Sequence, residues 1–214
     1  MYIEAENKYG KFFIPAAAKQ RPCSQKIIRG EVWEQATINV IEQYANDQNI
    51  VHCGAFFGDM LPALSTMTSK TVYTFEPNPI SFKAASKTIE ANNLSNVKIQ
   101  NVGLGEKKDV LPFDGRPSIG GTSRFRQGGY SKEDIQVRTI ALDDVIEEPV
   151  SVIHLDVEGF EIFALMGAWG ILTESQPVLV LEYTKYTSHP FWKKILDLGY
   201  KNVGRCDHNH IWKT

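Results

Sequence analysis

The chain has little of what would place it outside the ordinary globular class. Its longest apolar runs, such as Pro177 to Leu181, fall far short of the ~20 residues that cross a bilayer. Cysteine is scarce: Cys23, Cys53 and Cys206 are odd in number and unclustered, which gives neither a disulfide framework nor a zinc site. Neither sign of charge dominates. There are 23 Lys and Arg against 25 Asp and Glu, a net charge of −2, so no global field draws the chain onto nucleic acid or an anionic membrane. Met1 to Gly10 is acidic and has no apolar core, unlike a signal peptide. No internal repeat or low-complexity tract is present. What is present is 43% hydrophobic and 22% charged residues over 214 positions, ordinary for a folded soluble protein. The length fits one domain with a sizeable core. The expectation is a single domain over residues 1–214, cytoplasmic, acting on a small molecule, with neither nucleic acid nor membrane as partner.

Periodicity orders the chain into alternating units. Met1–Ala5 and Lys11–Ile14 flank a polar turn ending in Gly10 and read as a hairpin. Val32, Trp33, Ala36, Val40, Ile41 and Tyr44 recur at helical spacing over residues 31–44. Ile50–Cys53, Thr71–Phe75 and Val97–Val102 read as strands, separated by helical stretches over 59–67 and from Asn78-Pro79 to about Asn93. Asn as cap and Pro in the first turn mark the second of these helices. Residues 105–140 break the rhythm and read as a β-rich insertion or lid. Val152–Leu155, a helix over 160–172, Val178–Leu181 and a helix over 190–198 resume it. Tyr200–Gly204 and His210–Lys213 form a terminal hairpin. Strands alternating with helices mean βαβ units and a mostly parallel sheet. Ligands of such sheets sit at the carboxyl ends of the strands, so the residues that follow each strand are the candidates.

After the first strand, Gly54 and Gly58 frame a tight turn in which the backbone can approach a ligand. This is G-x-x-x-G and not the G-x-G-x-x-G of dinucleotide binders, which argues against a nicotinamide oxidoreductase. Glu76 ends the second strand 22 residues beyond Gly54, where an acid can hydrogen-bond ribose hydroxyls. Asp156, Glu158 and Glu161 crowd the junction after the fourth main strand. Carboxylates there can hold a cation, act as a base or ligate a hard metal; Glu161 also reads as a helix N-terminal acid. Glu182 ends the next strand, where it either lines the same cleft or is an ordinary strand-end acid. His189, His208 and His210 are scattered and read as surface or packing residues. Arg116, Arg124, Arg126 and Lys132 surround Gly120-Gly121-Thr122-Ser123 and Gly128-Gly129-Tyr130. They read as a solvated loop or as a lid contacting a polar substrate.

The set Val51 to Gly58, Phe75-Glu76-Pro77-Asn78-Pro79, Thr139 to Asp144, His154-Leu155-Asp156-Val157-Glu158-Gly159-Phe160-Glu161 and Leu165 to Ala168 resembles the FkbM family of S-adenosylmethionine-dependent methyltransferases. The resemblance runs from about residue 30 to residue 185. It implies a Rossmann-like class I methyltransferase of the α/β class. Such a fold has a seven-stranded, mostly parallel sheet, helices on both faces and a C-terminal antiparallel hairpin. It also implies S-adenosylmethionine as cofactor and methylation of hydroxyl oxygens on sugars or natural products. Carried over by position, Gly54, Ala55 and Gly58 would contact the methionine part, Glu76 the ribose and Asn101 and Val102 the adenine, and Asp156 would lie near the amino-acid end and the methyl group; His52, Phe56, Pro77, Asn78 and Gly103 would complete the cofactor site. Asp156, Glu158 and His154 are the candidate bases; Thr122, Ser123, Arg124 and Glu182 are the candidate substrate contacts. No metal is assigned, although the acids could share a divalent ion. Two positions depart from the family pattern: His52 stands where Asp is usual and His154 where Lys is usual. An N-methyltransferase, or a cofactor-binding protein without catalysis, is the alternative.

Overall fold

The computed structural model describes residues 1–116, 124–126, 131–182 and 185–214, with the backbone alone at 185 and 186. The chain opens with an antiparallel hairpin, β1 (Tyr2–Asn7) and β2 (Gly10–Pro15), followed by α1 (Pro22–Ile28) and α2 (Gln35–Tyr44). Then come β3 (Asn49–Cys53), α3 (Leu61–Leu64), β4 (Val72–Phe75), α4 (Pro79–Ala91) and β5 (Val97–Gln100). A small four-stranded sheet interrupts the alternation, built from β6 (Gly103–Leu104), β7 (Asp109–Asp114), β8 (Arg124–Phe125) and β9 (Ile135–Ile140). The main series resumes with β10 (Val150–Leu155), α5 (Glu161–Met166), α6 (Trp169–Glu174), β11 (Val178–Glu182), α7 (Pro190–Asp197) and the hairpin β12 (Lys201–Cys206) and β13 (Asn209–Lys213).

The main sheet has seven strands in the order β12-β13-β11-β10-β3-β4-β5. The run β11-β10-β3-β4-β5 is parallel throughout, and β13 joins β11 antiparallel. The sheet is therefore mixed, as the sequence pattern predicts. Its central strands are buried along their whole length, because helices cover both faces. Alternation splits them between two cores. Val51, Cys53, Ile153 and Leu155 pack with the residues of α5, α6 and α7. Ile50 and Val152 face α2, α3 and α4. His52 and His154 fall on this second face by the same alternation.

Several boundaries differ from the sequence reading, each for a local reason. The helix expected from residue 31 starts at Gln35, because Gly30 (φ +77°) and Glu34 (φ +46°) are left-handed. The last free amide of its first turn, Thr37 N–H, donates to Asp207 from the C-terminal hairpin at 3.0 Å. The single helix expected over 160–172 is two, broken at Gly167-Ala168. Asp143 caps the second piece by accepting from Gly170 and Ile171 N–H at 2.7 and 3.1 Å. The helix expected over 59–67 shrinks to Leu61–Leu64, and α1 (Pro22–Ile28) is a helix that the sequence reading did not assign. Among the described residues no helix is long and apolar enough to cross a membrane.

Candidate active site

A cavity of about 220 Å³ opens at the carboxyl ends of β3, β4, β10 and β11. The turn after β3 forms its floor. Gly54 has φ +94°, and a Cβ there would lie 2.0 Å from the carbonyl oxygen of Asp156, so only glycine lets β3 and β10 end side by side. Phe56 follows in a left-handed conformation at φ +48°. Its N–H donates to Glu76 Oε2 at 2.8 Å, and Asn78 N–H donates to Glu76 Oε1 at 2.8 Å. Glu76 thus ties the first turn to the second. Burial pushes its pKa up to about 8 against the pull of those two amides. Asn101 braces the same corner from behind, its amide donating to the carbonyls of Glu76 and Pro77 at 2.7 and 3.1 Å.

The acids form the opposite wall. Burial raises the Asp156 carboxyl well above the usual range, and the neighbouring Glu182, Glu34 and Glu158 carboxyls push it further. Burial, followed by the charges of Glu158 and Glu161, brings the Glu182 carboxyl to about 7. Glu158, left-handed at φ +55°, is also raised by burial, with Arg21 and Arg124 acting against that shift. Glu161 is turned away from this group. Its fully buried carboxylate accepts from Val157 and Gly159 N–H at 3.3 and 3.2 Å and holds the turn.

His52 and His154 line the cavity beneath the acids. They are in register on adjacent strands. Their Nδ1 atoms are 2.8 Å apart and their planes differ by 3°. The two positions that depart from the family pattern are therefore one contact, in which a neutral hydrogen-bonded pair replaces an acid and a base. Burial is the main cause that drives both pKa values down, His154 to about 4.

His52, Gly54, Phe56, Glu76, Pro77, Gly103, His154, Asp156, Glu158 and Glu182 all line the cavity. Other candidates do not. Ala55 is fully buried, and a Cβ on Gly58 would face Leu61 and Thr88. Asn78 caps α4 through Ile80 N–H at 2.9 Å. Asn101 and Val102 sit behind the corner rather than on its surface. Arg124 is exposed on β8, while its neighbour Phe125 reaches the cavity and closes over Gly103. Thr122 and Ser123 lie outside the described residues, as do the other residues of 117–123 and 127–130 in the expected lid. Two of that segment's arginines are already paired: Arg116 with Asp114 at 2.8 Å, and Arg126 with Asp114 and Asp134 at 2.8 and 3.1 Å. Among the described residues no three acids, histidines or cysteines are placed to hold a metal ion.

The sequence reading missed the walls contributed from afar. Arg21, Cys23, Trp33 and Glu34 come from the N-terminal segment, and His208 from the turn of the C-terminal hairpin. Asp59 follows the glycine turn, and burial raises it to about 7. Phe113 and Phe125 of the small sheet close the apolar side. Only Asp59 carried a signal, its place beside Gly58; the others meet the site through the fold alone.

A model of the methyltransferase FkbM domain matches residues 52–202. The crystal structure of methyltransferase FkbM from Methylobacillus flagellatus KT superposes with a TM-score of 0.59 at 23% identity, covering 78% of this chain and 44% of that one. This chain thus spans less than half of that relative's length. A tRNA (uracil-54, C5)-methyltransferase of Pyrococcus abyssi, solved with S-adenosyl-L-homocysteine, superposes with a TM-score of 0.50 at 12% identity, over 99% of this chain and 43% of that one. At these identities the likeness is one of fold. No curated protein matches the chain in sequence.

Proposed function

This chain belongs to the FkbM methyltransferase family, and from that premise we propose that it methylates a hydroxyl group of a small molecule, a sugar or a natural product, using S-adenosylmethionine. One observation carries the reading: a single cavity joins the Gly54 turn, the Glu76 corner and the Asp156–Glu182 pair. The donor set suits this cofactor. Six carboxyls, Glu34, Asp59, Glu76, Asp156, Glu158 and Glu182, line a cavity to which arginine contributes only Arg21 among the described residues. That excess fits a ligand bearing a sulfonium and an ammonium. Glu76 keeps unused lone pairs after accepting two amides, and its protonated form adds an O–H donor; both can serve ribose hydroxyls. Pro77, Gly103 and Leu104 offer an apolar edge for a base.

When bound, S-adenosylmethionine supplies an electrophilic methyl group. The chain must align the acceptor, which is worth roughly 7–11 kcal/mol in favourable cases, and take up the hydroxyl proton. Asp156 and Glu182 suit the proton uptake: burial raises both carboxyls, Glu182 to about 7, which matches a base working at neutral pH. Phe113 and Phe125 exclude water from one side. The experiment is transfer of labelled methyl groups over sugars, phenols and other small alcohols, with Asp156→Asn in parallel. Label in no acceptor, from a preparation that binds the cofactor, would remove the catalytic reading and leave a cofactor-binding protein. A second reading, transfer to an amine nitrogen, is favoured by the cluster of Glu34, Asp156, Glu158 and Glu182, which suits an ammonium; the same screen with amines decides between them.

A further inference from the structure

An S-adenosyl ligand ends in an α-ammonium and an α-carboxylate, and the cavity is unevenly equipped for the two. Six carboxyls line it, while Arg21 is its one lysine or arginine among the described residues. The ammonium therefore has partners in plenty, and the carboxylate must find donors. The main chain at the two turns has already given its own. After β3, Gly54 N–H donates to the Phe75 carbonyl at 3.1 Å, Phe56 N–H to Glu76 Oε2 at 2.8 Å and Gly58 N–H to the Ala55 carbonyl at 2.7 Å. After β10, Asp156 N–H donates to the Cys53 carbonyl at 3.1 Å and Val157 N–H to Glu161 Oε1 at 3.3 Å.

Arg21 is differently placed. Its backbone is fixed, since its N–H donates to the Ala18 carbonyl at 3.0 Å and its carbonyl accepts from Gln25 N–H at 2.9 Å. Cys23, Ser24 and Ile27, which follow it, are buried. Its side chain is half-buried and lines the cavity beside Glu158. The ion pairs among the described residues belong to Arg29, Arg116 and Arg126, and none to Arg21. A guanidinium is a planar fork of donors that matches a carboxylate with two parallel hydrogen bonds. Here such a fork faces the cavity from a rigid backbone without a partner of its own.

We propose that Arg21 takes the α-carboxylate of the S-adenosyl ligand, so that the N-terminal segment supplies the cation that the family domain lacks. The inference rests on the function proposed above. Arg21 lies outside the residues matched by the family model, 52–202, and within that range no lysine or arginine among the described residues lines the cavity. The two charges of the amino-acid end are then met by different parts of the chain, the ammonium by carboxyls of the domain and the carboxylate by Arg21. An acidic group on the methyl acceptor is the competing ligand. The carboxyl-lined wall opposes a lone anion, because like charges brought together cost binding energy, whereas the zwitterion brings its own positive charge to that wall.

The test is calorimetric titration of the full chain with S-adenosylhomocysteine and with its decarboxylated analogue, which keeps the ammonium and lacks the carboxylate. The wild type should bind S-adenosylhomocysteine about tenfold more tightly than the analogue, the scale of a charged hydrogen bond. Arg21→Gln should remove that difference by weakening S-adenosylhomocysteine about tenfold and leaving the analogue unchanged. Arg21→Lys should recover part of the loss, since it keeps the charge and gives up the fork. An unchanged Tm shows that both variants fold. Equal losses for the two ligands in Arg21→Gln would mark Arg21 as shaping the pocket as a whole and overturn the carboxylate contact. Unchanged S-adenosylhomocysteine affinity in that variant would overturn it too, and a raised acceptor KM beside it would give Arg21 to an acidic acceptor. A wild type that binds both ligands equally overturns the contact while the cofactor reading stands; one that binds neither overturns both.

Discussion

Replacing Gly54 with alanine tests whether the ends of β3 and β10 are built to the tolerance the cavity requires. The new methyl group would sit 2.0 Å from the Asp156 carbonyl oxygen and 3.0 Å from its carbon. That backbone is not free to retreat, because Asp156 N–H donates to the Cys53 carbonyl at 3.1 Å and Gly54 N–H to the Phe75 carbonyl at 3.1 Å. Relief to ordinary contact requires a movement of about 1 Å or more. The left-handed backbone costs a non-glycine residue ~1–2 kcal/mol, and overpacking costs ~1–3 kcal/mol more. A loss of roughly 2–5 kcal/mol lowers Tm by about 4–20 °C in a chain of this size. Gly159→Ala separates the two causes: its φ is +97°, yet nothing lies within 4 Å of a Cβ there, so only the backbone cost applies. Thermal unfolding should place Gly54→Ala clearly below Gly159→Ala. Any folded fraction should turn over about 10²-fold more slowly, the scale of a 1 Å misplacement. Equal Tm values for the two variants would refute the steric argument.

Further outcomes follow from the acids. Asp156→Asn should fold normally and lower turnover by at least about tenfold, read with an acceptor from the labelled screen; near-wild-type turnover would clear Asp156 of a role as base. Asp59, Glu76 and Glu182 hold protons in the folded state to about 7, 8 and 7, whereas the unfolded chain releases them near ~4. The folded form therefore binds more protons between those values, and stability falls as pH rises through 7 and 8. The buried histidines act in the opposite sense, but only below ~6.5. Tm of the ligand-free chain should thus decline from pH 6.5 to 8.5, and a flat or rising profile would contradict the buried acids. Binding of S-adenosylmethionine at pH 7 should release protons, seen as an enthalpy that depends on the buffer, because its positive charge favours the ionised acids.

The α/β class and the alternation were legible because their signal is local, whereas the seven strands came from the family resemblance and their order from the fold. Apolar strands end at Gly54, Glu76, Asp156 and Glu182, and Asn78-Pro79 announces α4. The errors lie where a partner distant in sequence decides. Asp207 caps α2 from the far end of the chain, so the helix starts at Gln35 and Glu34 turns toward the cavity. Asp143 caps α6 and splits one apolar stretch into two helices. The same holds at the site. Asp156 and Glu76 follow from strand-end logic, but the pairing of His52 with His154 needs the register of β3 on β10. Arg116 and Arg126, read from sequence as part of a solvated loop or of a lid, are paired with Asp114 and Asp134. Asn101, read as an adenine contact, spends its amide on the Glu76 corner.

The measurement closest to the central claim is a calorimetric titration of the full chain with S-adenosylhomocysteine, beside the same titration of Glu76→Gln. Gln retains one carbonyl acceptor and turns an N–H toward either Phe56 or Asn78, so the corner that joins the two turns is broken on one side. The account expects one site per chain in the wild type and an affinity weaker by on the order of 1.5–3 kcal/mol in the variant, the value of a charged hydrogen bond. No heat at millimolar ligand, or an unchanged Kd in a correctly folded Glu76→Gln, would contradict it.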